Sequence, residues 1–254
     1  MGKNKLKKFA ALETYPHVLQ YSYARLQDEG FPLRGRWKTY FFHNDHPIVL
    51  ELGCGKGEYT VGLARKNPDR NYIGVDVKGA RIYTGATMAL EEKMTNVAFL
   101  RASISDILSF FAPGEVSEIW ITFPDPQMQY TRRRLTSPRF LELYRNILAP
   151  DALIRLKTDS PFLYTYTRNL ILHNSMPLSA DSSDLYADCN PDLPASLREI
   201  RTFYEQQWLA RGKTIKYLAF RLPAHEVEHI DEDDIERDDY HAVSRGNFHE
   251  TPSK

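Results

Sequence analysis

The sequence predicts an α/β fold in which a largely parallel sheet carries helices on both faces. Apolar, β-rich runs alternate with longer helical patterns from Ile48 to about Phe220, and repeated units of that kind argue for parallel strands joined by helices. Two helix starts are unusually legible: in Ser137-Pro138 and Ser160-Pro161 a serine stands at the N-cap position and a proline at the first helical position. Both follow strand ends, and therefore mark the rim where open α/β sheets bind ligands.

In chain order, "IVLEL" beginning at Ile48 reads as a strand, with a helix over 58–66; "YIGVD" follows, then a helix over 79–93. "VAFLR" leads to a helix over 104–111, and "EIWITF" to a helix over 138–148. "ALIRLK" is the last strand of the alternation and precedes a helix over 161–172. No internal repeat or low-complexity linker divides this region.

With 254 residues, 42% of them hydrophobic, the chain can bury a sizeable core. No run approaches the ~18 apolar residues of a membrane span, and the opening "MGKNKLKKFA" lacks the apolar stretch of a secretory signal. The expectation is a cytoplasmic protein without a membrane partner. Two cysteines, Cys54 and Cys189, are too few for a disulfide framework or a cysteine zinc site, so no metal is expected.

The net charge of zero conceals an asymmetry. Residues 1–40 carry eight bases against three acids, whereas residues 225–254 carry ten acids against three bases. This divides the chain into a basic N-terminal extension (1–44), a central domain (45–224) and an acidic segment (225–254). The acidic segment is expected to be solvated and flexible, and dispensable for the fold. It would act either as a solubilising tail or as a competitor for the basic regions. Without it the chain is net +7, the electrostatic footprint of a protein with an anionic partner.

After the first strand, "ELGCGKGEY" places Gly53, Gly55 and Gly57 at the start of a helix. Glycines tolerate positive φ and let a ligand approach the backbone, and a helix N-terminus presents free N–H groups. Turn geometry alone also accounts for such a loop. Asp76, 23 residues after Gly53, ends the next strand, where a carboxylate can accept hydrogen bonds from a ribose. Glu51 stands just before the glycines; it would repel a pyrophosphate but suits the cationic amino-acid end of S-adenosylmethionine. The spacing is Gly-x-Gly-x-Gly rather than the dinucleotide fingerprint, so S-adenosylmethionine is favoured over NAD as the cofactor.

The stretch "ITFPDPQMQYTRRRLT", Ile121 to Thr136, ends the fourth strand of this series in Pro-Asp-Pro and continues into three arginines. The prolines confine the backbone at Asp125, which suits a group that orients a substrate, although a stiff turn would look the same. A guanine N7 acceptor has an in-plane lone pair and loses no proton, so alignment with the methyl donor supplies much of the rate. A carboxylate could hold the guanine edge through N1–H and N2–H and favour the cationic ring that forms. Arg132, Arg133 and Arg134, with Arg139, are then candidates for phosphate contacts; alone they would be a solvated basic turn.

"FPDP", "RRRLT", "LKTD" and "TFYEQQW" together resemble the bacterial tRNA (guanine-N7)-methyltransferases over about residues 45–222. The resemblance implies a Rossmann-like methyltransferase fold and methylation of guanine 46 in the variable loop of tRNA. It further implies that Glu51 and Asp76 touch the donor, that Asp125 lies at the catalytic centre, and that Asp159, Thr202 and Glu205 seat the guanine. Two departures stand out. Where the family continues Pro-Asp-Pro with Trp and basic residues, this chain has Gln127, Met128, Gln129 and Tyr130 in a shorter loop. Where the family often has Asp-Ala near the adenine, it has Ser103-Ile104, whose serine can still make one hydrogen bond to the donor.

Two other functions compete: a non-catalytic tRNA-binding protein retaining a relic donor pocket, and a methyltransferase acting on an exocyclic amine. Glu51, Asp76, Asp125, Asp159 and Glu205 kept together argue against the first. The absence of paired prolines followed by an aromatic residue argues against the second. Oligomeric state is not readable from the chain.

Overall fold

In the computed structural model, which describes residues 3–238, every predicted strand joins one eight-stranded sheet. The strands are β1 (Val18–Gln20), β2 (Ile48–Leu52), β3 (Asn71–Val75), β4 (Val97–Arg101), β5 (Val116–Thr122), β6 (Leu148–Thr158), β7 (Leu178–Ser182) and β8 (Lys216–Phe220). Their order is β1-β4-β3-β2-β5-β6-β8-β7, and β1 to β6 pair in parallel. β8 runs antiparallel between β6 and β7.

The helices are α1 (Lys3–Thr14), α2 (Tyr23–Glu29), α3 (Glu58–Lys66), α4 (Gly79–Glu91), α5 (Pro138–Arg145), α6 (Pro161–His173), α7 (Ser196–Glu199) and α8 (Phe203–Ala210). The segment expected as a helix over 104–111 is instead a 3-10 helix, Ile104–Ser109. Both proline helix starts are present. The Ser160 hydroxyl accepts from the Leu163 amide at 2.9 Å and caps α6. Ser137 has N-cap dihedrals but its buried hydroxyl makes no capping bond.

The central strands are apolar almost throughout because both of their faces are covered. Leu50, Leu52, Ile73, Val75, Leu100, Ile119 and Ile121 belong to one core cluster. Val49, Tyr72, Val97, Phe99 and Trp120, one residue out of phase, belong to the other. Period-two alternation puts Glu51, between Leu50 and Leu52, on the Val49 and Trp120 side. The strand order reverses beside β2, with β3 and β4 on one side and β5 and β6 on the other. The loops after β2 and β5 diverge there, which makes their carboxyl ends the natural binding crevice.

The terminal segments are more integrated than their charge suggests. Within 1–44, β1 extends the sheet beside β4, and Leu12, Leu26, Phe31, Trp37 and Phe42 are buried. The Trp37 indole donates to the Phe110 carbonyl at 3.0 Å.

The expected flexible acidic tail is corrected over its described part. Val227 and Ile235 are 4% and 8% exposed and join the core, and Glu232 pairs with Arg134 at 2.7 Å. Asp238 accepts the Phe162 amide at 2.9 Å at the start of α6. A few well-spaced apolar residues anchor the segment while its carboxylates meet cations and free amides, which average composition conceals. Residues 239–254 lie outside the described residues.

Candidate active site

A cleft of about 550 Å³ opens at the strand reversal, lined by Glu51, Gly53, Gly55, Thr122, Phe123 and Thr202. The turn after β2 needs its glycines: Gly57 has φ +70°, and a Cβ there would lie 2.5 Å from the Phe99 ring. The loop is thus pressed against the sheet, and α3 begins directly after it.

Glu51, 3% exposed, forms part of the cleft wall. Its carboxylate accepts from the Thr60 amide at 2.8 Å, from the Thr60 hydroxyl and from the Thr122 hydroxyl. Burial pushes its pKa up to about 7; the hydrogen bonds of Thr122 and Thr60 pull it back, and the nearby Asp76 charge adds to the rise. The group is therefore an acid held near neutrality, one whose ionised form a bound cation would favour.

Asp76 ends β3 and is turned toward the glycine loop. One carboxylate oxygen accepts from the Gly55 amide at 3.0 Å and the other from the Lys78 amide at 2.7 Å. Each oxygen keeps a further lone pair, so the residue can shape the loop and still accept ligand hydroxyls. Ser103 is separate from the main cleft. It caps the 3-10 helix by accepting from the Ser105 amide at 3.3 Å, and lines a second hollow with Val77, Arg101 and Asp106.

Asp125 is exposed at the end of β5. Its carboxylate accepts the Gln127 amide at 3.0 Å, closing a tight turn on itself. Phe123 and Gln127 on either side both have φ +48°, a left-handed conformation that ordinary side chains seldom adopt. Such local strain persists only when the surroundings enforce it.

Arg134 supplies part of that enforcement. Its Nε donates to the Pro126 carbonyl at 3.0 Å and its Nη2 to the Gln127 carbonyl at 3.2 Å. The guanidinium is fully buried against Tyr166, 3.9 Å from the ring centre, and bonds Glu232. The expectation that Arg134 contacts tRNA phosphates is therefore corrected: no donor of its fork faces solvent. Arg132 and Arg133 are exposed, with Arg133 stacked over Tyr130 at 4.8 Å.

Three polar residues expected to seat the base occupy different environments. Thr202 lines the cleft and caps α8, its hydroxyl accepting the Glu205 amide at 3.2 Å. Glu205 is completely buried, 2.7 Å from Lys157, and accepts the Tyr186 hydroxyl at 2.9 Å. Burial lowers the Lys157 pKa, and Glu205 partly restores it. Asp159 is 1% exposed at the end of β6, within electrostatic reach of Lys216.

The cleft also includes Lys56, Arg81, Tyr204 and Trp208, which sequence reading did not select. Lys56 sits in the glycine loop, and its ammonium lies 3.7 Å from the Phe203 ring centre. The Phe203 amide donates to Glu58 at 3.2 Å, tying α8 to α3. Lys56 was visible within the "GKG" of the loop; the α8 aromatics needed the fold to bring them there. Among the described residues, no group of three or more His, Cys, Asp or Glu side chains could hold a metal ion, and no helix is long and apolar enough to cross a membrane.

Residues 45–218 match the family described as "Putative methyltransferase". A tRNA (guanine-N(7)-)-methyltransferase of Bacteroides thetaiotaomicron is 54% identical over 96% of both chains. A protein of the same name from Porphyromonas gingivalis is 56% identical over 92% of this chain and 96% of its own. The one from Clostridioides difficile is 34% identical over 78% and 90%. Among solved structures, the 16S rRNA methyltransferase KamB superposes with a TM-score of 0.54 at 15% identity, covering 81% of this chain and 96% of that one. An antibiotic-related methyltransferase gives 0.51 at 15% identity, covering 72% and 90%. At that identity the likeness concerns the fold, which is the Rossmann-like methyltransferase fold.

Proposed function

Because the chain belongs to the tRNA (guanine-N(7)-)-methyltransferase family, we propose that its crevice at the strand reversal binds S-adenosylmethionine and presents it to a tRNA guanine, that of position 46 in the variable loop. The reaction transfers a methyl group to guanine N7. The observation that carries the residue assignment is the junction of β2 and β5, where the buried Glu51 carboxylate lines the cleft with Thr122 and Phe123, two residues before the exposed Asp125.

Glu51 fits the ammonium of the donor's amino-acid end, since a cation beside a desolvated carboxylate favours its charged form. Asp76 retains lone pairs for the ribose hydroxyls. The hollow at Val77 and Ser103 suits the adenine, one residue along the chain from Asp76. When bound, the donor supplies an electrophilic methyl group; the chain's own residues hold and orient.

At the rim, Asp125 accepts from the guanine N1–H and N2–H edge and lowers the energy of the positive ring charge that develops as N7 is alkylated. No proton leaves N7, so no general base is required, and alignment carries much of the rate. Thr202 adds a polar contact from the α8 side of the cleft. Arg132 and Arg133 lie along the same loop and provide exposed charge for tRNA phosphates.

The test is a nucleoside digest of tRNA after incubation with the protein and S-adenosylmethionine. N7-methylguanosine is the expected product. A methylated exocyclic amine would replace the acceptor assignment, and unmodified RNA that nonetheless binds tightly would leave a binding protein.

A further inference from the structure

We propose that residues 223–238 form a strap that positions Asp125 for methyl transfer, with Glu232 acting through Arg134. The inference rests on Asp125 being the residue that meets the guanine, and it concerns how that residue is held. The two carbonyls gripped by the Arg134 fork belong to Pro126 and Gln127, immediately after Asp125. The Gln127 amide in turn donates to the Asp125 carboxylate. One guanidinium thereby sets the plane of the turn from which Asp125 projects.

That guanidinium needs Glu232. It is fully buried against the Tyr166 and Phe162 rings, with centroid distances of 3.9 and 4.9 Å. Such a charge, deprived of its carboxylate partner, would be strongly unfavourable in that surrounding. Glu232 also accepts the Thr131 hydroxyl, from the other end of the loop. A single strap carboxylate therefore braces both ends of the segment connecting Asp125 to the exposed Arg132 and Arg133.

Glu232 is held in place by attachments on either side. Arg145 of α5 donates to the carbonyls of Pro223 and His225, at 2.5 and 2.7 Å. Asn174 exchanges two hydrogen bonds with the Glu228 backbone, at 3.1 and 2.7 Å. Asp238 bonds the Ser160 hydroxyl and the Phe162 amide at the start of α6. Without these anchors Glu232 would lose conformational entropy each time it met Arg134; with them it is preorganised.

Glu232→Gln keeps the shape and removes the charge. It is expected to lower kcat for N7-methylguanosine formation by about ten- to hundred-fold, the scale of misplacing a reacting group by ~1 Å. The dissociation constant of S-adenosylhomocysteine should be unchanged. Amide exchange at Gln127 should speed up, a readout that needs no activity. Val116→Ala is the control: its side chain is core, at the opposite end of β5 from Asp125 and outside the strap, so it should lower Tm while leaving kcat and exchange at Gln127 as in the wild type. If Glu232→Gln folds poorly, Thr131→Val, which removes only the second bond to Glu232, should give a smaller loss in the same direction. Wild-type kcat in Glu232→Gln, or an equal loss of kcat in Val116→Ala, would overturn the proposal. Should the wild-type protein form no N7-methylguanosine, the function reading fails instead, and unaltered exchange at Gln127 in Glu232→Gln would still refute the strap.

Discussion

The Lys157 ammonium lies 2.7 Å from the Glu205 carboxylate, and neither side chain is exposed. The pair joins β6 to α8, the helix whose cap, Thr202, lines the cleft. A buried pair of this kind contributes little when removed whole, whereas removing one partner leaves an uncompensated charge. Lys157→Met should therefore cost about 3–5 kcal/mol of stability, and the double variant Lys157→Met/Glu205→Leu should recover most of it. Denaturant titration of both single variants and the double decides this; a double loss equal to the sum of the two single losses would mean the two side chains are not coupled.

Asp125→Asn separates shape from charge. The asparagine oxygen can still accept the Gln127 amide, so the turn is retained. The lost anion should reduce single-turnover methyl transfer by about 10²–10³-fold, the scale of deleting one transition-state electrostatic contact. S-Adenosylhomocysteine affinity should stay within a few-fold. Wild-type turnover would remove Asp125 from the chemistry.

The pH dependence of donor binding follows from Glu51. Its pKa is raised from 4.5 to about 7, so its contribution to the stability of the free protein is complete below 4.5 and is lost as pH rises through 7. A bound ammonium prefers the ionised form, so binding of S-adenosylhomocysteine should tighten from about pH 5.5 to about pH 7, by at most ~10-fold per unit, and then level off. Calorimetry at several pH values is the measurement. Glu51→Gln should bind more weakly and show a flat profile; a wild-type affinity independent of pH would place the ammonium elsewhere.

The three arginines should behave as two classes. Replacing Arg132 and Arg133 with Gln should reduce the slope of log tRNA affinity against log salt by up to about one unit per contact, with Tm nearly unchanged. Arg134→Gln should leave that slope intact and lower Tm, because it leaves Glu232 and two loop carbonyls without their donor. Binding isotherms at several salt concentrations, read beside thermal melts, distinguish the classes. A reduced slope for Arg134→Gln would return it to the tRNA surface.

The alternation of strands and helices, the glycine turn after β2, the acid just after β3 and the proline-framed carboxylate after β5 are all legible in the amino-acid sequence. These are local patterns: periodicity, backbone permissiveness and cap chemistry act over a few residues, and the strand reversal then brings their ends together. What the charged side chains meet is set instead by contacts between distant parts of the chain. Arg134 and Glu232 are 98 residues apart, and nothing local distinguishes a buried guanidinium from the exposed Arg132 and Arg133 beside it. The same holds for Glu205, which shares its helix with cleft residues yet turns inward to Lys157, and for the acidic segment, whose few apolar residues count for little in composition but lock it onto the core. A charge's role depends on whether its partner is water or another buried group, and that partner is set by contacts far along the chain.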